Sequence, residues 1–265
     1  MNRSIREEYA ARGWVKFPVD PRLRSWLAAA APAAFEAAAA PDVRREWLRH
    51  GDTWLVGVSA LPNQADGSVG GSRPLSCGAT DFIKEIQGDT AWDRAQVSVC
   101  FRGYPRRDAH ESINAHRYRV DRDAAHVDGL HPVGARRRRH LREMHRFVLG
   151  IPVNESPAKA APFVVWDGSH EVIRKAFREA FGSLEADQWS DVDVTDVYHD
   201  ARRLIWADCA RRELPASPGE AYLVHSFALH GMAPWPDTLH GPREGRVILY
   251  FRPPFPLGRA WLNDP

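Results

Sequence analysis

Between residues 5 and 40 apolar side chains return at helical spacing. Tyr9, Trp14 and Phe17 surround a break at Gly13, and Leu23, Trp26, Leu27, Ala30 and Phe35 follow it. Pro32 has no N–H to donate and should kink or restart this helix. Residues 62–77, rich in Gly, Ser, Asn and Pro, predict a long loop. Beyond it the period shortens toward two. Residues 95–101 and 113–120 alternate and predict strands, and 146–153 and 161–166 are short apolar runs with turn residues between them. Residues 171–189 read as an amphipathic helix, with Ile173, Phe177, Phe181 and Leu184 on one side, and 200–209 as a further helix. The Pro218-Gly219 turn opens a strand at 221–226. The last strand, 246–251, is closed by Pro253-Pro254.

Several short strands with helices in front and one helical insertion do not make the regular strand–helix alternation of a doubly wound sheet. No fixed repeat is present either. The pattern predicts a mainly β protein with flanking helices, a jelly roll. One domain is expected over 1–265, its helical region (about 1–60) packed on a β core at about 95–253.

Composition narrows the functions. Charged residues are 26% of the chain and net charge is +2, which argues against a general nucleic-acid binder. Cys77, Cys100 and Cys209 are odd in number and far apart, so they suggest neither a disulfide framework nor a zinc knuckle, and a reducing cytoplasm is expected. The first residues lack the apolar core of a signal peptide, and the alanine-rich stretch after Leu27 is too short to span a bilayer.

His126-Val127-Asp128 puts an imidazole and a carboxylate two residues apart, on one face if the segment is extended. Two histidines and one carboxylate make the facial triad that suits non-haem Fe(II) and leaves positions open. With 12 histidines, about one His-x-Asp arises by chance. A second instance, His50-Gly51-Asp52, is set aside because Gly51 suggests a turn ahead of the strand-rich part. Context favours His126. His230-Gly231 follows the Pro-Gly turn and a strand, and Arg246 opens the next strand with a planar fork able to grip a carboxylate.

These residues resemble the phytanoyl-CoA dioxygenase family of Fe(II)- and 2-oxoglutarate-dependent oxygenases. The resemblance covers most of the chain: Tyr9-Ala10-Ala11-Arg12-Gly13-Trp14-Val15, His126-Val127-Asp128-Gly129, Val165-Trp166-Asp167-Gly168-Ser169-His170, the Pro-Gly turn, His230-Gly231 and the Arg246 strand. It implies a double-stranded β-helix of the cupin-like kind. It also implies iron held by His126, Asp128 and His230, and 2-oxoglutarate held by Arg246. The gap from His230 to Arg246 is longer than usual in the family, so Arg243 competes for that role. Met232 stands where the family often has a polar residue, so Tyr118 or Arg117 is a candidate second partner for the co-substrate. His170 is expected to be structural, and His225 to lie in the core or behind the ligands.

The implied activity is oxidative decarboxylation of 2-oxoglutarate by dioxygen coupled to hydroxylation of a C–H bond. Related halogenases leave the Asp128 position small so that a halide can bind, so Asp128 favours hydroxylation or another oxidation over halogenation. Arg136 to Arg139, with Arg142 and Arg146, suggest a small anionic substrate at the cavity mouth, against the alternative of a solvated charged loop. Two other readings are a non-catalytic jelly-roll binding protein and a protein or nucleic-acid hydroxylase. Nothing in the sequence bears on oligomeric state.

Overall fold

The computed structural model describes residues 4–256 and 258–263. Seven antiparallel strands form the larger sheet: β1 (Trp14–Phe17), β2 (Leu48–Arg49), β3 (Trp54–Leu55), β4 (Gln96–Cys100), β7 (Phe147–Pro152), β10 (Ala221–His225) and β12 (Arg246–Phe251). Their order is β1-β10-β7-β12-β4-β3-β2. A smaller sheet runs β11 (His230–Met232), β8 (Phe163–Trp166), β9 (Arg211–Leu214), and a bridge from His126 to His230 adds a fourth member at its edge. From β4 onward the chain alternates between the sheets: β4 in the larger, the His126 segment in the smaller, β7 back in the larger. Then β8 and β9 lie in the smaller sheet, β10 in the larger, β11 in the smaller and β12 in the larger. That winding is a double-stranded β-helix. A separate hairpin, β5 (Leu130–Val133) with β6 (Arg138–Leu141), leaves the core after the His126 segment.

Strand period sorts the side chains of the larger sheet. Val97, Val99, Leu149, Ile151, Leu223, Val247 and Leu249 face outward and pack under α2 (Pro21–Ala39) and α4 (Gly78–Gln87), against Leu23, Trp26, Leu27, Phe82 and Ile83. The alternate residues Val148, Tyr222, Val224, Ile248 and Tyr250 face the smaller sheet and meet Phe163 and Val165. Behind the smaller sheet, α6 (Ser169–Phe181) and α7 (Thr195–Asp208) cover Val164 and Trp166 with Ile173, Phe177, Tyr198 and Ile205. Both faces of both sheets are therefore covered, and the central strands are buried throughout. No described helix is long and apolar enough to cross a membrane.

The local structure departs from the sequence reading in four places. Residues 113–120 are not a strand but the helix α5 (Ile113–Asp121), capped by Ser112, whose side chain accepts from Ala115 N at 3.1 Å. Its β-branched Ile113 and Val120 are exposed rather than buried on one strand face. Pro32 does not interrupt α2; it and Ala28, whose carbonyl loses its donor, both face solvent, where water can replace the bond. The helix expected over 171–189 stops at Phe181 before Gly182, and a short 3-10 turn, Ala186–Asp191, brings Trp189 back to stack on Phe181 at 4.7 Å. Finally, the first 60 residues are not only helical. After α1 (Ile5–Arg12), β1 joins β10, and β2 and β3 extend the sheet beyond β4.

Candidate metal centre

His126 and His230 face each other across the edge of the smaller sheet. Each donates its backbone N–H to the other's carbonyl, at 2.8 and 3.0 Å. This reciprocal pair places the rings side by side, with centroids 4.7 Å apart. Val127, between His126 and Asp128, turns the other way into the apolar layer under α6 and α7, and its N–H is held by the Tyr198 hydroxyl at 3.1 Å. Asp128 thereby returns to the His126 side. Its carboxylate lies 3.4 Å from His126 Nε2 and 3.7 Å from His230 Nε2. One donor atom from each of the three lies within 4.8 Å of the others.

The donors are set for coordination. His126 Nδ1 is 2.9 Å from the Ala124 carbonyl and His230 Nδ1 is 2.9 Å from the Ala228 carbonyl. A carbonyl only accepts, so both Nδ1 atoms carry the proton and both Nε2 lone pairs face Asp128. Burial pushes the His230 imidazole down to about 4, which keeps it neutral at ordinary pH. Burial opposes ionisation of Asp128, but the Arg252 guanidinium at 3.5 Å outweighs it and holds the carboxyl well below its ordinary value. His126 is half exposed, while Asp128 is about one-tenth exposed and His230 is buried, so the centre opens to solvent on the His126 side.

Two glycines make room. At Gly129, φ is +81°, and a Cβ would stand 2.1 Å from the Glu143 carbonyl. At Gly231 a Cβ would stand 2.1 Å from the Asp123 carbonyl, which accepts from Met232 N and helps hold β11 in place. Gly231→Ala is expected to push β11 away from His126. Overpacking of this kind costs about 1–3 kcal/mol of stability. Disturbing the frame that orients metal ligands lowers metal affinity about 10–100-fold. Thermal melting and competitive chelator titration check the two effects, and wild-type metal affinity in a destabilised variant would show that β11 does not set the His230 geometry.

The three residues open onto a cavity of about 660 Å³ between the sheets. Its larger-sheet wall carries Gln96 and Ser98 of β4, Tyr250 of β12 and, just past β12, Arg252. Arg246 is on the same face of β12, two side-chain repeats before Tyr250. It is 5% exposed, and its Nη2 lies 2.9 Å from Met232 Sδ and 3.4 Å from Cys100 Sγ. Its Nε has no hydrogen-bond partner, and among the described residues no carboxylate pairs with it. Met232 lines the cavity two residues from His230 on the same strand face, about 7 Å along the strand. Arg243, by contrast, is exposed.

The other candidates separate. Arg117 is exposed and off the cavity, and Tyr118 is on α5 rather than a strand, its hydroxyl donating to the Ala125 carbonyl at 2.5 Å. Tyr118 lines the same cavity as the three residues and Met232, and Arg117 does not. His170 is buried in α6 with Nε2 3.2 Å from the Ala10 carbonyl, and His225 is buried with Nδ1 accepting from Phe227 N. His50-Gly51-Asp52 forms the left-handed turn between β2 and β3. The arginine run is divided: Arg137 and Arg139 line the cavity, Arg138 pairs with Asp193 and Asp196, and Arg146 is tied to the Gln87 and Asp89 carbonyls.

The sequence reading missed Arg252, Arg119, Gln96 and Ser98. A signal for the last two was present. They are polar at alternate positions of a strand whose other alternate positions, Val97 and Val99, are apolar, as expected where one strand face borders a polar cavity.

No family model matches the chain, and no curated protein does. Among solved structures, AviO1 from Streptomyces viridochromogenes Tue57 is similar at 14% identity and a TM-score of 0.49, over 96% of this chain and 95% of that one. EctD from S. alaskensis, solved with 2-oxoglutarate and 5-hydroxyectoine, is similar at 12% identity and 0.46, over 94% and 76%. HygX from Streptomyces hygroscopicus, solved with nickel, 2-oxoglutarate and hygromycin B, is similar at 10% identity and 0.45, over 95% and 85%.

Proposed function

We propose that this chain is an Fe(II)- and 2-oxoglutarate-dependent oxygenase that hydroxylates a C–H bond of a small anionic molecule. One observation carries the reading. Two imidazoles and an ionised carboxylate converge at a cavity, and a buried guanidinium without an acid packs on Met232, two residues along the strand from His230. The donor set, two nitrogens and one oxygen, fits a non-haem iron that keeps positions open.

His126, Asp128 and His230 would hold the iron in this reading, and Arg252, 3.5 Å from Asp128 Oδ2, would keep that carboxylate in place. Arg246 takes the far carboxylate of 2-oxoglutarate as a fork takes an anion, with Met232 as an apolar side wall along the carbon chain. Bound iron and 2-oxoglutarate together supply the oxidising power, with dioxygen consumed and succinate and carbon dioxide released. The protein's own part is to orient these groups and keep water from the buried side.

The charge of the cavity wall supports an anionic substrate. Arg119 and Arg252 are paired with Glu111 and Asp128, but Arg137, Arg139 and Arg202 line the cavity and pair with no carboxylate among the described residues. Arg202 is fixed by packing over Tyr118, Tyr198 and Trp206 at 5.0–5.2 Å. The unbalanced wall charge favours a carboxylate or phosphate.

The test is succinate formation from 2-oxoglutarate with Fe(II), stimulated by members of a panel of organic acids, phosphate esters and acyl-CoA compounds. No stimulation by any anion, with stimulation by neutral or cationic compounds, would overturn the substrate class. No succinate from iron-loaded protein under any condition would overturn the reaction. For the anion that stimulates, Arg137→Ala and Arg139→Ala should each raise its KM about two- to fivefold, the scale of a partly exposed ion pair. The effect should fade with salt, and substrate-independent 2-oxoglutarate turnover should stay unchanged.

A further inference from the structure

Away from the His126 centre, the turn between β2 and β3 meets the loop that leads into α5. There His50, Asp108 and Glu111 each bring one donor atom within 4.8 Å of the other two, the same envelope that contains the donors of His126, Asp128 and His230. The His50 side chain is 7% exposed, and its Nδ1 approaches Asp108 Oδ2 at 3.4 Å without forming a hydrogen bond. Glu111 is 8% exposed, and its Oε2 is likewise sealed from solvent without a partner. Buried polar atoms with no partner are rare in folded proteins, and an imidazole nitrogen and a carboxylate oxygen left so in one cluster point to a cation that satisfies both.

The surroundings fix these donors. Asp108 is held by the backbone N–H groups of His50 at 3.0 Å and Gly51 at 2.6 Å. Glu111 is held through Oε1 by Arg119 Nε at 2.6 Å, which leaves Oε2 free. The His50 ring stacks on Trp54, centroids 5.6 Å apart and planes within 15°. Burial lowers its pKa, so the ring offers a lone pair. A fourth donor stands close by: His116 Nδ1, also buried and unpartnered, is 3.9 Å from Glu111 Oε2. Asp108 is 43% exposed and gives solvent access.

We propose that His50, Asp108 and Glu111 form a second cation site, separate in ligands from the His126 centre and inferred without reference to the reaction assigned to it. An imidazole with two carboxylates suits a first-row transition-metal dication such as Zn²⁺ rather than magnesium or calcium, which prefer all-oxygen sites. The ion would clamp the loop before α5 to the β2–β3 turn. Because Glu111 also holds Arg119, a residue of the cavity wall, it would fix that wall as well.

Titration with Zn²⁺ alone, followed by calorimetry and by metal analysis after gel filtration, tests this. Wild-type protein is expected to take up two equivalents, and a His126→Ala/His230→Ala variant one. Adding Glu111→Gln or His50→Asn to that variant should weaken the remaining uptake at least tenfold. Asn is chosen because His50 has φ +57°, which Asn tolerates. Should His50→Asn fail to fold by circular dichroism, the isosteric Glu111→Gln decides alone. No Zn²⁺ uptake by the His126→Ala/His230→Ala variant overturns the proposal, and so does uptake that Glu111→Gln leaves unchanged.

Discussion

Arg246→Met is expected to yield a protein that melts higher in the absence of ligands and yet has lost its response to 2-oxoglutarate. Arg246 is 5% exposed and is surrounded by neutral groups, the Met232 and Cys100 sulfurs and the Tyr250 hydroxyl. A buried guanidinium without an anion pays desolvation with no Coulomb return. Replacing buried charge by apolar side chains of similar volume is often neutral or stabilising by about 1–4 kcal/mol. In a chain of this size each kcal/mol shifts Tm by about 2–4 °C. Function should move the opposite way. Removing one side of a buried, hydrogen-bonded charge pair costs about 2–5 kcal/mol, which lowers kcat/KM for 2-oxoglutarate about 30- to 4000-fold. Arg246→Lys keeps the charge but not the fork, and its activity should fall between the two. Scanning calorimetry and succinate assays across 2-oxoglutarate concentrations measure both effects. An unchanged KM for 2-oxoglutarate in Arg246→Met, or the same defect in exposed Arg243→Met, would assign the co-substrate to another cation.

What the chain revealed in advance depends on how local each feature is. The closeness of His126 and Asp128 follows from local alternation, because Val127 is drawn into the apolar layer and the residues on either side, one at an isolated bridge and one in the turn after it, face away from it. His230 was legible through a turn, a strand and a glycine in series, and Gly231 proves to be where the Asp123 carbonyl packs against β11. Arg252 was not legible. It lies past the end of β12 and reaches Asp128 across 124 positions of sequence, a contact that no local pattern encodes. The arginine run looked uniform, but hairpin geometry separates it, sending Arg138 to Asp193 and Asp196 while Arg137 and Arg139 face the cavity. Alternation misled at residues 113–120, where Ile113 and Val120 resemble strand residues and the Ser112 cap decides for helix. The second cluster was hidden for the same reason as Arg252: His50 and Asp108 are 58 residues apart and meet only once β3 pairs with β4.

His126→Ala and Asp128→Ala should each abolish iron retention and 2-oxoglutarate turnover, and they should differ in what they do to the metal-free fold. His126 is half exposed and its backbone carries the bridge to His230, which alanine keeps. Loss of its ring should therefore leave the melting temperature of the metal-free protein almost unchanged, within about 0.5 kcal/mol, as for other surface changes. Asp128 is 10% exposed and stands between Arg252 and two imidazoles. Its removal leaves Arg252 facing the rings with no anion, so some destabilisation is expected, as is a cationic field where the metal must bind. Loss of orienting partners alone lowers metal affinity about 10–100-fold, so loss of a ligand should exceed a hundredfold and bring succinate formation to the metal-free background. Metal analysis after gel filtration, melting curves with and without Fe(II), and succinate assays separate the cases. Metal should raise the melting temperature of wild type and fail to raise that of either variant, provided the measurements are made in protein whose Glu111 site has been removed by Glu111→Gln. Stoichiometric iron and near-normal turnover in Asp128→Ala would mean that this carboxylate is not a ligand and that the metal, if bound, lies elsewhere in the cavity.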